Sequence, residues 1–155
     1  MKTIMLIAIS FLIFSCKPYD KDLSLEGEYA IVDFTMTPQF AKDSIARRNI
    51  IPIITSSINT FIFSTDNSIV KIDPRFGMEF FGDSIYQYEI ENKFIALTNN
   101  DKTINVPFKN DNGIIRLFIK RKGIERFSII PSKNQYSFVA RLKQKFSSIT
   151  KFLKN

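Results

Sequence analysis

The chain has 155 residues, with 22 Lys and Arg against 15 Asp and Glu, a formal charge of +7. It has no histidine and one cysteine, which excludes a Ser-His-Asp triad and a His-based metal site. Its five glycines form neither a P-loop nor a dinucleotide-binding pattern.

In chain order, Met1-Lys2 supplies one positive charge, and Thr3 to Phe14 follow, nearly all apolar and free of charge or proline. Ser15 and Cys16 close the run. A charged start, a short apolar stretch and a small residue at the cut describe a secretory signal. The stretch is too short to span a bilayer, which takes about 20 residues. Ile13-Phe14-Ser15-Cys16 resembles the lipobox of bacterial lipoproteins, in which an aliphatic residue and a small residue precede the modified cysteine. Phe14 departs from that pattern, since a smaller side chain is usual there. The resemblance implies cleavage after Ser15, a diacylglyceryl thioether on Cys16 and an acylated amino group, with palmitate-type chains. Several chains anchor stably where one is marginal. Lipidation would also consume the only thiol and with it any Cys-His pair. In that family an aspartate after the cysteine retains the protein at the inner membrane. Lys17 therefore implies the outer membrane, with the periplasmic or surface face open. Residues 16–25 read as a tether with Pro18 and alternating charges.

Cleavage leaves 140 residues, enough for one domain with a real core. The mature chain carries 21 basic and 15 acidic residues. Six of the basic ones (Lys133, Arg141, Lys143, Lys145, Lys151 and Lys154) lie at 133–155, where there is no acid. The body is neutral and the tail basic, unlike a nucleic-acid protein, which would spread its basic face through the fold.

Glu26 to Thr35 reads as a strand, rich in Tyr29, Ile31, Val32, Phe34 and Thr35. Thr37-Pro38 predicts a helix start, with Thr37 as N-cap. Phe40, Ala41, Ile45 and Ala46 continue it, and Pro52 is expected to end or kink it near 49–51. Ile53 to Asn59 fits a further helical turn or an extended approach. From Thr60 the pattern alternates in short runs: 60–64, 70–72, 86–91, 95–97, 103–108, 115–120 and 126–129. Turn-forming residues separate them at Thr65–Ser68, Asn99–Lys102, Asn110–Gly113 and Arg121–Gly123.

The expected fold is therefore mainly β: an antiparallel meander of about eight strands at 26–132, closing into a barrel to protect its edges. A helix follows the first strand, and an amphipathic helix at 133–155 ends the chain. Gly27-Glu28-Tyr29 opens the first strand much as Gly-x-Trp opens lipocalins, and the hairpin ladder with a terminal helix is similar to that fold. Over roughly residues 24–150 the chain resembles small lipocalin-like lipoproteins of Gram-negative bacteria. Tyr29 stands where the family has tryptophan, and the helix after the first strand is a further departure. The resemblance makes Arg126 the candidate for the late-barrel arginine that packs on that aromatic residue. It also implies a ligand-binding barrel.

Glu26 and Glu28, and Glu89 and Glu91, are paired carboxylates of the kind that serve acid-base chemistry, but they alternate with apolar residues and read as a solvated strand face. Asn110–Gly113 lacks the length and distal glutamate of a calcium loop. No metal, cofactor or catalysis is expected. Phe138, Val139, Leu142, Phe146, Ile149, Phe152 and Leu153 fall on one helical face opposite Arg141, Lys143, Lys151 and Lys154. This tail fits either the outside of the barrel or an anionic membrane surface.

Two functions stand side by side. The first is an envelope lipoprotein that binds a small apolar molecule among Phe61, Phe63, Tyr86, Tyr88, Val106, Leu117 and Phe127. The second is a non-catalytic interaction or accessory subunit that binds another envelope protein. A filled interior favours the second, and an open pocket of about 300 Å³ or more favours the first. Replacing Cys16 with Ser is expected to leave an unprocessed, unacylated precursor. Acyl-chain labelling with mass analysis of the product checks this.

Overall fold

The computed structural model describes residues 23–56, 60–100 and 102–134. Cys16, the export signal and nearly all of the expected C-terminal helix lie outside the described residues.

Eight antiparallel strands close into one barrel, each paired with its sequence neighbours and the first with the last. They are β1 (Gly27–Met36), β2 (Phe61–Ser64), β3 (Ile69–Ile72), β4 (Ile85–Ile90), β5 (Phe94–Asn99), β6 (Lys102–Asp111), β7 (Ile114–Arg121) and β8 (Ile124–Pro131). The seam joins β1 to β8 from Tyr29↔Pro131 to Met36↔Ile124, with irregular register at two points. Closure pairs the first strand with the last, so neither is a free edge along its whole length. Period-two alternation sends Phe61, Phe63, Val70, Ile72, Ile95, Leu97, Ile115, Leu117, Phe127 and Ile129 inward, all buried. Glu89 and Glu91 are exposed, as are Glu26 and Glu28.

The two shortest strands explain the helices. β2 and β3 have four residues each, and β2 pairs only with the first three residues of β1. The upper half of β1 therefore pairs on one side only, with β8. Two helices, α1 (Pro38–Lys42) and α2 (Ser44–Ser56), leave the top of β1 and return the chain to β2. A third, α3 (Pro74–Phe80), sits above β3.

The helix expected at 38–51 is thus two helices. Thr37 Oγ1 accepts from the Phe40 amide at 3.2 Å, and Pro38 begins α1. Asp43 takes an extended backbone that ends α1, while its Oδ1 accepts from the Ala46 amide at 2.9 Å and starts α2. Pro52 does not end the second helix, which runs on to Ser56. Proline removes the amide that would bond the Arg48 carbonyl, but Arg48 is exposed and water can serve that oxygen. Burial of Ile50 and Ile54 holds the turns on either side.

α3 repeats the start seen at Thr37-Pro38. Asp73 Oδ1 accepts from the Phe76 amide at 3.0 Å and Pro74 takes the first turn. This helix drives Phe76 and Phe80 into the barrel, both fully buried. Phe76 lies 4.6 Å from Phe80, 5.0 Å from Phe127, 5.8 Å from Phe61 and 6.1 Å from Phe81, ring centre to ring centre. The column continues through Phe61–Phe63 at 6.2 Å to Tyr29 and Tyr88, at 5.4 and 5.1 Å from Phe63. Most of these contacts are edge-to-face or tilted, the geometry that aromatic quadrupoles favour.

At the other end Leu25 closes the barrel, 1% exposed, and its carbonyl accepts from the Tyr88 hydroxyl at 2.9 Å. The end of the expected tether is thus packed into the core, with Leu23 beside it.

α1 is locked to the turn between β7 and β8. The Thr37 amide donates to the Gly123 carbonyl at 2.9 Å. Gly123 has φ +77°, and a Cβ there would lie 2.3 Å from the Phe40 ring. Gly123→Ala combines a left-handed backbone with overpacking and is expected to cost about 2–4 kcal/mol. Adding Phe40→Ala should make the pair less costly than the sum of the two, as a double-mutant cycle by urea denaturation would show.

Candidate binding cleft at the barrel rim

The seven residues expected to line a ligand cavity converge inside the barrel, and they fill it. Phe61, Phe63, Val106 and Leu117, with Val70, Phe81, Ile95 and Leu97, surround a void of about 10 Å³. That is room for about one water molecule. Phe127 packs on Phe76 and Phe80, at 5.0 and 5.1 Å. Tyr86 and Tyr88 occupy opposite ends, each with its hydroxyl bonded to backbone. Arg126 does not pack on Tyr29 as the lipocalin resemblance implied. It pairs with Asp33 at 3.1 Å on the outer face, five residues along β8 from the partner of Tyr29. Phe127 points inward, so the residue before it points out.

Among the described residues, open space lies instead at the rims. A shallow hollow of about 460 Å³ lies at the β4–β5 turn, among Glu91, Asn92, Lys93 and Phe94, and a larger cleft lies at the opposite end, above the barrel. This cleft of about 750 Å³ is bounded by the segment after α3 (Phe81, Gly82, Asp83), the turn between β5 and β6, and Arg121 at the end of β7. Its volume falls within the range of small-molecule sites.

Each wall is set by local chemistry. Gly77 lets the chain after α3 return close: a Cβ there would lie 2.5 Å from the Asp83 carbonyl oxygen. The Phe81 and Gly82 amides both donate to the Gly77 carbonyl, at 2.8 and 2.9 Å, and end the helix. Asp83 is then fixed by two bonds. Its Oδ1 accepts from the Ser84 amide at 2.6 Å, and its Oδ2 accepts from Asn99 Nδ2 at 2.7 Å. Asn99 also donates to the Ile85 carbonyl at 3.1 Å, tying the β5 end to β4. Across the cleft, Arg121 Nη1 donates to the Phe80 carbonyl at 3.1 Å, which anchors one edge of the guanidinium. Lys102, Asn100 and Thr103 complete the lining from the β5–β6 turn and the start of β6.

Among the described residues the cleft is thus lined by two cations, Lys102 and Arg121, and one carboxylate, Asp83, with amide and hydroxyl groups. Such an arrangement suits a small polar or charged group, with the guanidinium as a directional donor. Of the residues expected at a site, only Tyr86 reaches this cleft. Asn99, Asn100, Lys102 and Arg121 sit in segments whose sequence signalled turns and nothing more, and Asp83 lies in a stretch to which the sequence assigned no element. The strands bring them together, and no spacing in the chain announces it.

Tyr86 forms the floor. Its hydroxyl donates to the Phe81 carbonyl at 3.0 Å. Burial raises its pKa above 10.0, and the negative charge of Asp83 adds to the effect.

No family model, curated protein or solved structure shows a significant match to this chain.

Below pH 10 the Tyr86 phenol is protonated in both folded and unfolded chains and adds no pH dependence. Above it the unfolded chain sheds the proton first, so stability falls as pH rises toward the folded-state value. Tyr86→Phe is expected to cost about 1–2 kcal/mol at neutral pH by leaving the Phe81 carbonyl without that donor. It should also reduce the loss of stability between pH 9 and 11, measured by urea denaturation.

Proposed function

We propose that this protein is a non-catalytic interaction module held at a membrane surface by acyl chains on Cys16, and that it meets its partner through the polar rim of the barrel. One observation carries the reading: among the described residues the void enclosed by the aromatic interior is about 10 Å³, against the several hundred that an apolar ligand needs. The inward residues then serve as structural core. The lipid anchor is supported by the sequence at 13–16 and by the absence of any other cysteine. The cleft supplies what the interior lacks, a concave polar surface with both signs of charge.

Two measurements test it. Native mass spectrometry of protein extracted from its own membrane is expected to give the mature polypeptide plus covalent acyl chains. A stoichiometric bound fatty acid or other apolar molecule would restore the ligand-binding reading. Site-specific photocrosslinking in cells then compares Asn100, in the cleft, with Glu89 on the barrel wall. A discrete adduct from Asn100 alone, reduced about tenfold by Lys102→Glu, is expected. Identical patterns from both positions, or none from either, contradict an interaction through the rim.

A further inference from the structure

The inner face of the barrel changes character at its mouth. β5 and β6 place three cross-strand pairs on that face: Ile95↔Val106, Leu97↔Ile104 and Asn99↔Lys102. The first two are apolar and belong to the core. The third is polar and lies at the cleft, over Phe81, Tyr86 and Ile104. β7 adds Arg121 by another device. Its register against β8 shifts between Phe118 and Arg121, and Lys120 takes φ +50° there. A bulge of this kind re-aims a side chain. Arg121 reaches the Phe80 carbonyl, which holds it across the mouth.

The hydrogen bonds of the cleft leave donors over. Both Asp83 oxygens already accept, Oδ1 from the Ser84 amide and Oδ2 from Asn99. Both Asn99 Nδ2 hydrogens are spent, on Asp83 and on the Ile85 carbonyl. The Tyr86 hydroxyl donates to the Phe81 carbonyl. Arg121 spends one Nη1–H on Phe80, and its Nε–H and Nη2–H edge takes no part in that bond. Lys122, the next residue, holds Glu79 at 3.1 Å. Among the described residues neither Arg121 nor Lys102 is joined to a carboxylate. Asp101, between Asn100 and Lys102 in the chain, lies outside the described residues. What the cleft leaves unspent is cationic: a two-pronged guanidinium edge and an ammonium.

We infer that the mouth of the barrel takes a carboxylate of its partner, an aspartate or glutamate side chain on an exposed acidic segment, seated on the free edge of Arg121 with Lys102 beside it. This rests on the interaction through the rim proposed above and names the chemistry of the partner. Two parallel N–H donors match the two oxygens of a carboxylate. A phosphate dianion also fits that edge, but Asp83 lines the same cleft and repels two charges about twice as strongly as one. Asp83 and Asn99 position the walls and do not themselves hold the partner.

The test uses the full mature lipoprotein, labelled with nitrogen-15 and held in detergent micelles. The probes are capped tetraglutamate, capped tetraglutamine and inorganic phosphate. Tetraglutamate is expected to move the Arg121 Nε–H and Asn100 side-chain amide signals and to saturate. Tetraglutamine at the same concentration should move neither. Arg121→Gln and Lys102→Gln should each weaken tetraglutamate at least fivefold. Lys71→Gln, exposed on β3, should leave it unchanged. Arg121→Gln also loses the bond to Phe80, whereas Lys102 is exposed, so Lys102→Gln keeps the test open if the first variant fails to fold. Equal responses to the two peptides, tetraglutamate binding indifferent to Lys102→Gln, or tighter binding of phosphate than of tetraglutamate overturns the inference. The rim reading fails separately. An Asn100 crosslink in cells with no preference for tetraglutamate overturns the carboxylate alone; a missing Asn100 crosslink overturns both.

Discussion

The structure depends on the packing of Phe76. α3 carries this ring into a barrel whose own strands would leave the upper half of the β1–β4 interval open. Its neighbours come from β2, β8 and α3 itself, so one side chain joins Phe61 to Phe127, 66 residues apart in the chain. Aromatic pairs of this kind add about 0.5–1.5 kcal/mol each beyond area burial. The ring also occupies volume on the barrel axis that an apolar ligand would need. Short strands, the helical plug and the filled interior are one solution to one geometric problem.

That solution bears on the proposed function: among the described residues the void on the barrel axis is about 10 Å³, and the proposal therefore turns to the surface. Surfaces differ at the two ends. One is closed by Leu25 and carries both termini; the other carries the cleft, whose walls are set by Gly77, Asp83 and Asn99.

Much of the fold was legible in the residues. Period-two alternation placed the strands, and Asn, Asp and Gly clusters placed the turns, because both signals are local. α3 was missed although Asp73-Pro74 repeats the start at Thr37-Pro38. Seven residues are too few for a helical apolar period to show against the strands on either side. Asp43 splits a helix that apolar spacing joins, since its carboxylate caps the second piece better than it continues the first. Pro52 left open whether a further helical turn followed it, and one does, to Ser56: tertiary burial of Ile50 and Ile54 outweighs one lost hydrogen bond. Alternation put the inward residues on one face, but whether a set of large side chains fills or lines a space depends on ring-to-ring geometry that no alternation pattern contains. The cleft was invisible for a related reason. Its charges come from the ends of separate strands, brought together only by closure.

The central claim is that the interior is full and that Phe76 fills it. Thermal unfolding of the mature protein and of Phe76→Ala, each with and without saturating benzene, tests it directly. The wild-type midpoint should not respond to benzene. The variant should lose about 3–5 kcal/mol and recover part of it when benzene enters the vacated space. A wild-type midpoint raised by benzene, or a variant as stable as its parent, would contradict the account.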